Sequence, residues 1–382
     1  MYLLEHDAKE LLAARDIPLP AGMLAAADTP LPALPPGPWV VKAQVTAGGR
    51  GKAGGIRKAA TIEAVRAAIS DIARLHIRGR PVHECRIEQQ ITGAHEAYLG
   101  LMLDPAAAGV RVLLAPRGGM EIEAMAAEPG LLHTAVCDPD QSVLAASAVE
   151  LARDLAPPLR GALTAAGSAL AAAFFAYECS LLEINPLFVM RDGSWLAGDA
   201  KMITDDNALP RQQAVANLLE RRARAYPEAH LKLHYGCDYV VVDPEGEIGL
   251  LTTGAGLSMM LIDELRGAGL RPYNFLDVRT GGLRGDPARL IHVLNWIAQG
   301  PRVKVILVNV FAGITDLGEF SRLLLAAFQA VPQLRVPVVA RLIGNAIEVA
   351  RTVLGDAGID VVTELGAAVT RVRSHLAAKS GA

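Results

Sequence analysis

From residue 239 onward, short apolar runs alternate with helix-length amphipathic ones, and this alternation leaves few folds open. The order reads strand Tyr239–Val242, strand Ile248–Thr252, helix Leu257–Gly267, strand Tyr273–Leu276, helix Pro287–Gln299, strand Val303–Val310, helix Leu317–Ala330, strand Val336–Arg341, helix Ala346–Ala357, strand Val361–Thr363 and helix Leu365–Ala378. Strands joined through helices run parallel, and a parallel sheet needs helices over both faces. The apolar runs Val305–Val310 and Val336–Ala340 are expected at its centre. Such sheets bind ligands at the carboxyl ends of their strands. Those ends carry Thr253-Gly-Ala-Gly256, Asp277-Val-Arg-Thr-Gly-Gly282, Phe311-Ala-Gly-Ile-Thr315 and Leu342-Ile-Gly-Asn345. Small-residue loops of this kind suit an anion or acyl group facing helix N-termini, although tight strand-to-helix turns are often glycine-rich for structural reasons alone.

The earlier part of the chain centres on Trp39 to Lys58, WVVKAQVTAGGRGKAGGIRK. A short apolar strand ends in Lys42, and a loop with Gly48, Gly49, Gly51, Gly54 and Gly55 follows, carrying Arg50 and Lys52. Glycines let backbone N–H groups approach an anion, and three cations beside them would neutralise a polyphosphate. The loop is not a Walker A motif, because Lys52 is followed by Ala53 and position 46 is not glycine. Its G-x-G-x-x-G match leads into an extended run before a helix at Thr61, so a dinucleotide fingerprint is rejected. A hairpin whose tip covers a triphosphate remains, with a plain surface loop as the alternative.

Other elements frame this hairpin. Leu3 to Ala14 has helical spacing through Leu4, Ala8, Leu11 and Leu12. Segments 61–79 and 147–175 read as helices, and Cys85–Gln90, His95–Leu103 and Val110–Ala115 read as neighbouring strands. Ser180–Val189 and Trp195–Ala200 read as a hairpin about Asp192-Gly193, and a helix spans Gln212–Tyr226 with a solvated charged end. Glu183 and Asn185 lie two apart on one strand, so they share a face, and the turn places Asp199 across from Asn185 within a residue. Two acceptors and a carboxylate are expected to have no basic partner nearby and so to take a cation, for which magnesium is suited; mutual hydrogen bonding within the hairpin is the competing account.

Composition sets outer limits. A net charge of −3 gives no reason to expect nucleic acid or an anionic membrane as partner. Cys85, Cys137, Cys179 and Cys237 are far apart and read as reduced thiols. The Ala-rich stretch 161–177 is taken as too short to span a bilayer, so a cytoplasmic protein is expected.

The N-terminal helix, Val40-Val-Lys-Ala-Gln-Val, Ala47-Gly-Gly-Arg-Gly-Lys-Ala-Gly-Gly55, Leu182-Glu-Ile-Asn-Pro-Leu187, Asp206-Asn-Ala-Leu209, Gly254-Ala-Gly256 and Asn274-Phe-Leu-Asp-Val278 resemble, in this order and across the whole chain, the β subunit of succinyl-CoA synthetase. The related malate–CoA ligase β subunit falls in the same family. The resemblance implies an α/β protein with an α+β ATP-grasp nucleotide-binding domain over 1–236, then a flavodoxin-like parallel-sheet CoA-ligase domain over 237–382. It implies an acid–thiol ligase, tied to the tricarboxylic acid cycle, that uses ATP and a phosphohistidine to make an acyl-CoA from succinate, malate or a related small acid. Lys42, Gly49, Arg50 and Gly51 would hold the triphosphate. Glu88 and Glu96 would lie near the adenine and ribose, with Ile91 in the same nucleotide set. Asn185 and Asp199 would hold Mg²⁺, and Glu183 would steady the visiting phosphohistidine. Thr253, Gly313, Ile314 and Thr315 would contact the acid. The histidine and most of the CoA site belong to an α subunit, and none of the nine histidines here stands in a motif suited to that role.

Three departures from the family pattern fall at the carboxyl edge of the second sheet: Thr253 for an asparagine, Arg279-Thr-Gly-Gly-Leu for a glycine triplet, and Asp316 where a basic residue is usual. They direct attention to the acid rather than the nucleotide. Two other functions compete with the ligase subunit. One is a non-catalytic regulatory paralogue. The other is a self-contained carboxylate–amine ligase, which leaves the second domain unexplained.

Overall fold

In a computed structural model, which describes residues 1–278, 285–313 and 315–380, the chain forms two units, Met1–Leu218 and Leu219–Ala382. The first opens with helix α1 (Glu5–Ala13), which buries Ala8, Leu11 and Leu12 as its spacing predicts, and buries Glu5, Asp7 and Lys9 as well. Next come β1 (Gly22–Ala25), β2 (Trp39–Ala43), β3 (Ile56–Ala59), α2 (Ile62–Ile72), the short strands β4 (His76–Ile77) and β5 (Arg80–Pro81), and β6 (Cys85–Gln89). An antiparallel sheet of order β1-β6-β2-β3 results, with the glycine loop at the tip of the β2–β3 hairpin. The Thr61 hydroxyl caps α2 by accepting from the Ala64 N–H, an arrangement that contributes about 1 kcal/mol. Val65, Ile69 and Ile72 of that helix then pack against Val41 and Ile87.

A second antiparallel sheet follows from β7 (His95–Asp104), β8 (Gly109–Ala115), α3 (Ile122–Ala127), β9 (His133–Cys137), α4 (Gln141–Leu151), α5 (Pro157–Ala176), β10 (Cys179–Val189), β11 (Trp195–Ala197) and β12 (Lys201–Thr204). Its order is β11-β10-β7-β8-β9, with β12 also on β10. The expected pairing of Cys85–Gln90 with His95–Leu103 does not occur. Both edges of β6 are already filled by β1 and β2, so β7 starts the other sheet. The helical stretch 147–175 is likewise two helices, because Pro157 and Pro158 have no N–H to continue α4 but fit the first turn of α5. At twenty residues α5 is long and apolar enough, by length and composition, to cross a membrane, contrary to expectation. In this fold it is a core helix with Leu163, Ala166 and Leu170 fully buried. Gly167 lets α4 come close, since an added Cβ would stand 2.3 Å from that of Ala148.

After a 3₁₀ turn over Asp206–Arg211, α6 (Gln213–Arg221) covers only the first part of the helix expected over 212–226, and a further helix, α7 (Pro227–Tyr235), follows it. The break is set by Pro227, the first residue of α7.

The second unit continues with β13 (Cys237–Val241), β14 (Ile248–Thr252), α8 (Ala255–Gly267), β15 (Asn274–Val278), α9 (Ala288–Ile297), β16 (Val305–Ala312), α10 (Leu317–Ala330), β17 (Val338–Gly344), α11 (Ile347–Asp356), β18 (Val361–Val362) and α12 (Leu365–Ser380). Strands β14-β16-β17-β18 form the parallel sheet, and the two unbroken apolar strands are central. Leu290, Phe320 and Ala350 from α9, α10 and α11 pack in one core, while Leu261 and Val372 from α8 and α12 pack in another, so both faces are covered. One expectation fails here: β15 joins β13 in a separate antiparallel ribbon. The fully buried Asn274 explains this, because its side-chain amide takes the place of a backbone ladder against β14. Its Oδ1 accepts from the Leu250 N–H and its Nδ2 donates to the Leu250 carbonyl, both at 2.9 Å.

Candidate active site

Lys42 ends β2 with its ammonium turned into a buried cluster of charge. It contacts Glu88 of β6, Glu5 of α1 at 2.9 Å and the Gly198 carbonyl at 2.7 Å. Lys9, one turn along α1 from Glu5, reaches Glu5, Glu88 and the same Gly198 carbonyl, each at 2.8 Å. Arg50 folds back from the glycine loop to Glu5 at 2.7 Å and forks onto the Asp199 carboxylate at 2.6 and 2.8 Å. The loop takes this course because Gly49 sits at φ +77°, where a side chain would be strained. Lys52 points the other way, 77% exposed, and pairs with Glu121. Of the three loop cations, two therefore converge and one does not.

Charge balance holds this cluster together. Burial alone pushes the Lys42 ammonium toward neutrality, but Glu5 and Glu88 outweigh it and raise its pKa. Burial acts on Arg50 in the same direction and is overcome by Asp199 and Glu5. For Glu5, burial disfavours ionisation, yet Lys42, Lys9 and Arg50 hold its carboxyl well below the ordinary range; Glu88 is lowered against burial by Lys9 and Lys42. A carboxyl lowered on folding stabilises fully above its unfolded pKa and loses that contribution as the pH falls through its folded pKa. The urea midpoint should therefore be flat above about pH 5 and drop steeply below about pH 4. An equally flat profile down to pH 3 would show that the cluster contributes nothing.

The metal candidates stand on the second sheet. Pairings Glu183↔Lys201 and Leu187↔Ala197 on either side put Asn185 in register with Asp199, which lies in the bend between β11 and β12. Asn185 is oriented by a glycine loop: its Oδ1 accepts from the Gly119 N–H and its Nδ2 donates to the Met120 carbonyl, both at 2.8 Å. Glu96 abuts the same loop, since a Cβ on Gly119 would fall 2.2 Å from its Oε2. An amide oxygen and a carboxylate are hard donors of the kind magnesium takes, and the amide oxygen keeps a second lone pair. Lys201 follows Asp199 by two residues and pairs opposite Glu183, and the fold brings Arg50 to Asp199 from 149 residues away, so the expected lack of a basic partner does not hold. Glu183 is half-buried. Burial raises its carboxyl above the ordinary range; Lys201 pulls against the shift, and Asp199 adds to it.

Other predicted residues are placed as follows. Glu88 is buried, its carboxylate held by Lys9, Lys42 and Arg86. Ile91 lies in the link from β6 to β7, between the two sheets. In the second unit, Thr253 follows β14 and its buried hydroxyl has no hydrogen-bond partner among the described residues. Beside it, the Gly254 N–H donates to Asp277 at 2.7 Å. Gly313 is exposed at the end of β16, with Thr315 two residues on. Asp316 caps α10 by accepting from the Glu319 N–H at 2.9 Å, so its charge is committed to a helix start. Ile314 and Arg279 lie outside the described residues.

Sequence reasoning missed Glu5, Lys9, Gly118 and Gly119. The first two were legible in principle: Glu5, Ala8, Lys9 and Leu12 share one helical face, and a charged pair on the buried stripe must meet partners. The glycines gave no signal before the loop was seen against Ala97, whose carbonyl would stand 2.1 Å from a Cβ on Gly118.

Comparison with known proteins agrees with this layout. Residues 2–189 match the ATP-grasp domain family and residues 251–374 the CoA-ligase family. The chain is 36% identical over 361 residues to the β subunit of a GDP-forming succinate–CoA ligase from Thermus thermophilus, covering 93% of each. It is 37% identical over 363 residues to the ADP-forming counterpart from Chloroflexus aggregans, again over 93% of each. A third such subunit, from Gemmatimonas aurantiaca, is 34% identical over the whole of both chains. Among solved structures, ATP citrate lyase from Methanothrix soehngenii in complex with citrate and coenzyme A is similar with a TM-score of 0.69 over 94% of this chain and 95% of that one. At 18% identity that likeness is one of fold.

Proposed function

The chain belongs to the succinate–CoA ligase β-subunit family, and we propose that it works with an α subunit to join a small carboxylic acid to CoA, driven by ATP. The observation that carries this reading is the convergence of Lys42 and Arg50 with Asp199 at one place in the first unit. The nucleotide part is counted over 1–236 and the ligase part over 237–382, from the first strand of the second unit. A cytoplasmic location belongs to the same proposal.

Lys42, Arg50 and the backbone of Gly49 to Gly51 bind the triphosphate, and Glu88, Ile91 and Glu96 line the nucleoside side. Asn185 and Asp199 would hold Mg²⁺, which supplies neutralisation of phosphate charge when bound. In the absence of ligand, Asp199 and Arg50 neutralise each other. Glu183, whose carboxyl burial raises above the ordinary range, faces an incoming imidazole and steadies it. The order of steps is the one the family resemblance implies. The γ-phosphoryl passes from ATP to a histidine of the α subunit, releasing ADP. The histidine hands it to the acid as an acyl phosphate, and the CoA thiol displaces phosphate to leave the thioester. Thr253, Gly313, Ile314 and Thr315 receive the acid at the edge of the parallel sheet.

Reconstitution with an α subunit tests the reading. With ATP, Mg²⁺ and CoA, the pair should form a thioester from at least one of succinate, malate and a short monocarboxylate. Asp316 caps α10 at this edge, and as an acidic side chain it is expected to disfavour a dicarboxylate unless Arg279 compensates. Thioester formation by the chain alone would overturn the need for a partner. ATP binding without any thioester would return the regulatory reading, which full-length likeness to ligases does not favour.

A further inference from the structure

Helix α7 carries His230 and His234 one turn apart on one face, with ring centroids 4.3 Å from each other. The turn between α6 and α7 returns Glu220 to them, and its Oε1 stands 2.7 Å from the His234 Nε2. One ligand atom from each of these three residues lies within 4.8 Å of the other two. Ligands around a tetrahedral zinc ion stand about 3.4 Å apart, so a small closure suffices.

A hydrogen-bonded Glu220–His234 pair alone would be ordinary surface chemistry. His230 is what it fails to explain: its Nδ1 is buried and has no hydrogen-bond partner among the described residues. A further imidazole, His292 of α9, stacks on Tyr235 at 4.1 Å. Two imidazoles and a carboxylate form a borderline-soft donor set, one that suits zinc better than magnesium.

We propose that Glu220, His230 and His234 form a binding site for one divalent transition-metal ion of the zinc class. The site lies wholly within the second unit and owes nothing to the nucleotide chemistry. It fastens the end of α6 to α7.

Calorimetry of Zn²⁺ into the chelator-stripped full chain, in excess Mg²⁺, tests the proposal. One equivalent should bind. His230→Ala and His234→Ala should each weaken it ~10-fold or more, and Glu220→Gln should weaken it less. Asp199→Asn should keep the equivalent. Co²⁺ should give visible bands in the wild type that vanish in the double histidine variant. Alanine is a strong helix former, and unchanged circular dichroism would confirm that the variants fold. Failure of the wild type to bind, equal binding by the double variant, or loss of the equivalent in Asp199→Asn would each overturn the proposal.

Discussion

Replacing Glu5 with glutamine should lower the stability of the chain by about 3–5 kcal/mol, the usual range for removing one member of a buried charge network. Glu5 answers Lys9, Lys42 and Arg50 at once. Without its charge, those cations and Arg86 lean on Glu88 and Asp199. Each cation is nearly solvent-free, so water cannot screen the excess. An unfolding free energy in urea lowered by less than about 0.5 kcal/mol would mean that the cluster is wetter than its burial implies. The same logic changes how a Lys42 variant must be read. Lys42→Ala should weaken ATP binding by about 1.5–3 kcal/mol, but it also strips Glu5 and Glu88 of a partner, so binding and folding have to be measured together.

Glu183→Gln should do the opposite to stability. Turnover of the reconstituted pair should fall by about 10²–10³-fold, the scale for losing a preorganised electrostatic partner of a reacting group. The fold should be no weaker. A carboxyl whose pKa is raised on folding costs stability while ionised, and that cost fades as the pH falls through the raised value. An amide of the same shape avoids it, so the variant should be at least as stable as wild type near neutral pH, with the difference shrinking in acid. Full turnover in this variant would remove Glu183 from the reaction; lost turnover together with lost stability would show that it is structural.

The parallel sheet was readable because strands β16 and β17 are continuous apolar runs, which only a doubly covered sheet accommodates. The metal-side register was readable because the Asp192-Gly193 turn fixes pairing by counting from it. Pairing decided at a distance was not readable. Whether β7 could sit beside β6 depended on β1 having filled that edge, and β15 left the parallel sheet because the side chain of Asn274 replaces a ladder. The site followed the same division. Lys42, Arg50 and Asn185 were visible as residue types in local patterns. Their partners Glu5 and Gly198 and the loop at Gly119 come from other elements, and only the fold brings them together.

The most direct test of the account is a rapid-quench experiment with γ-labelled ATP, Mg²⁺, this chain and an α subunit, without CoA or acid. The account predicts that label appears on a histidine of the α subunit within a single turnover, only when both chains are present, and that Arg50→Ala slows its appearance. Label that stays on this chain, or that reaches the α subunit equally well in its absence, would contradict it.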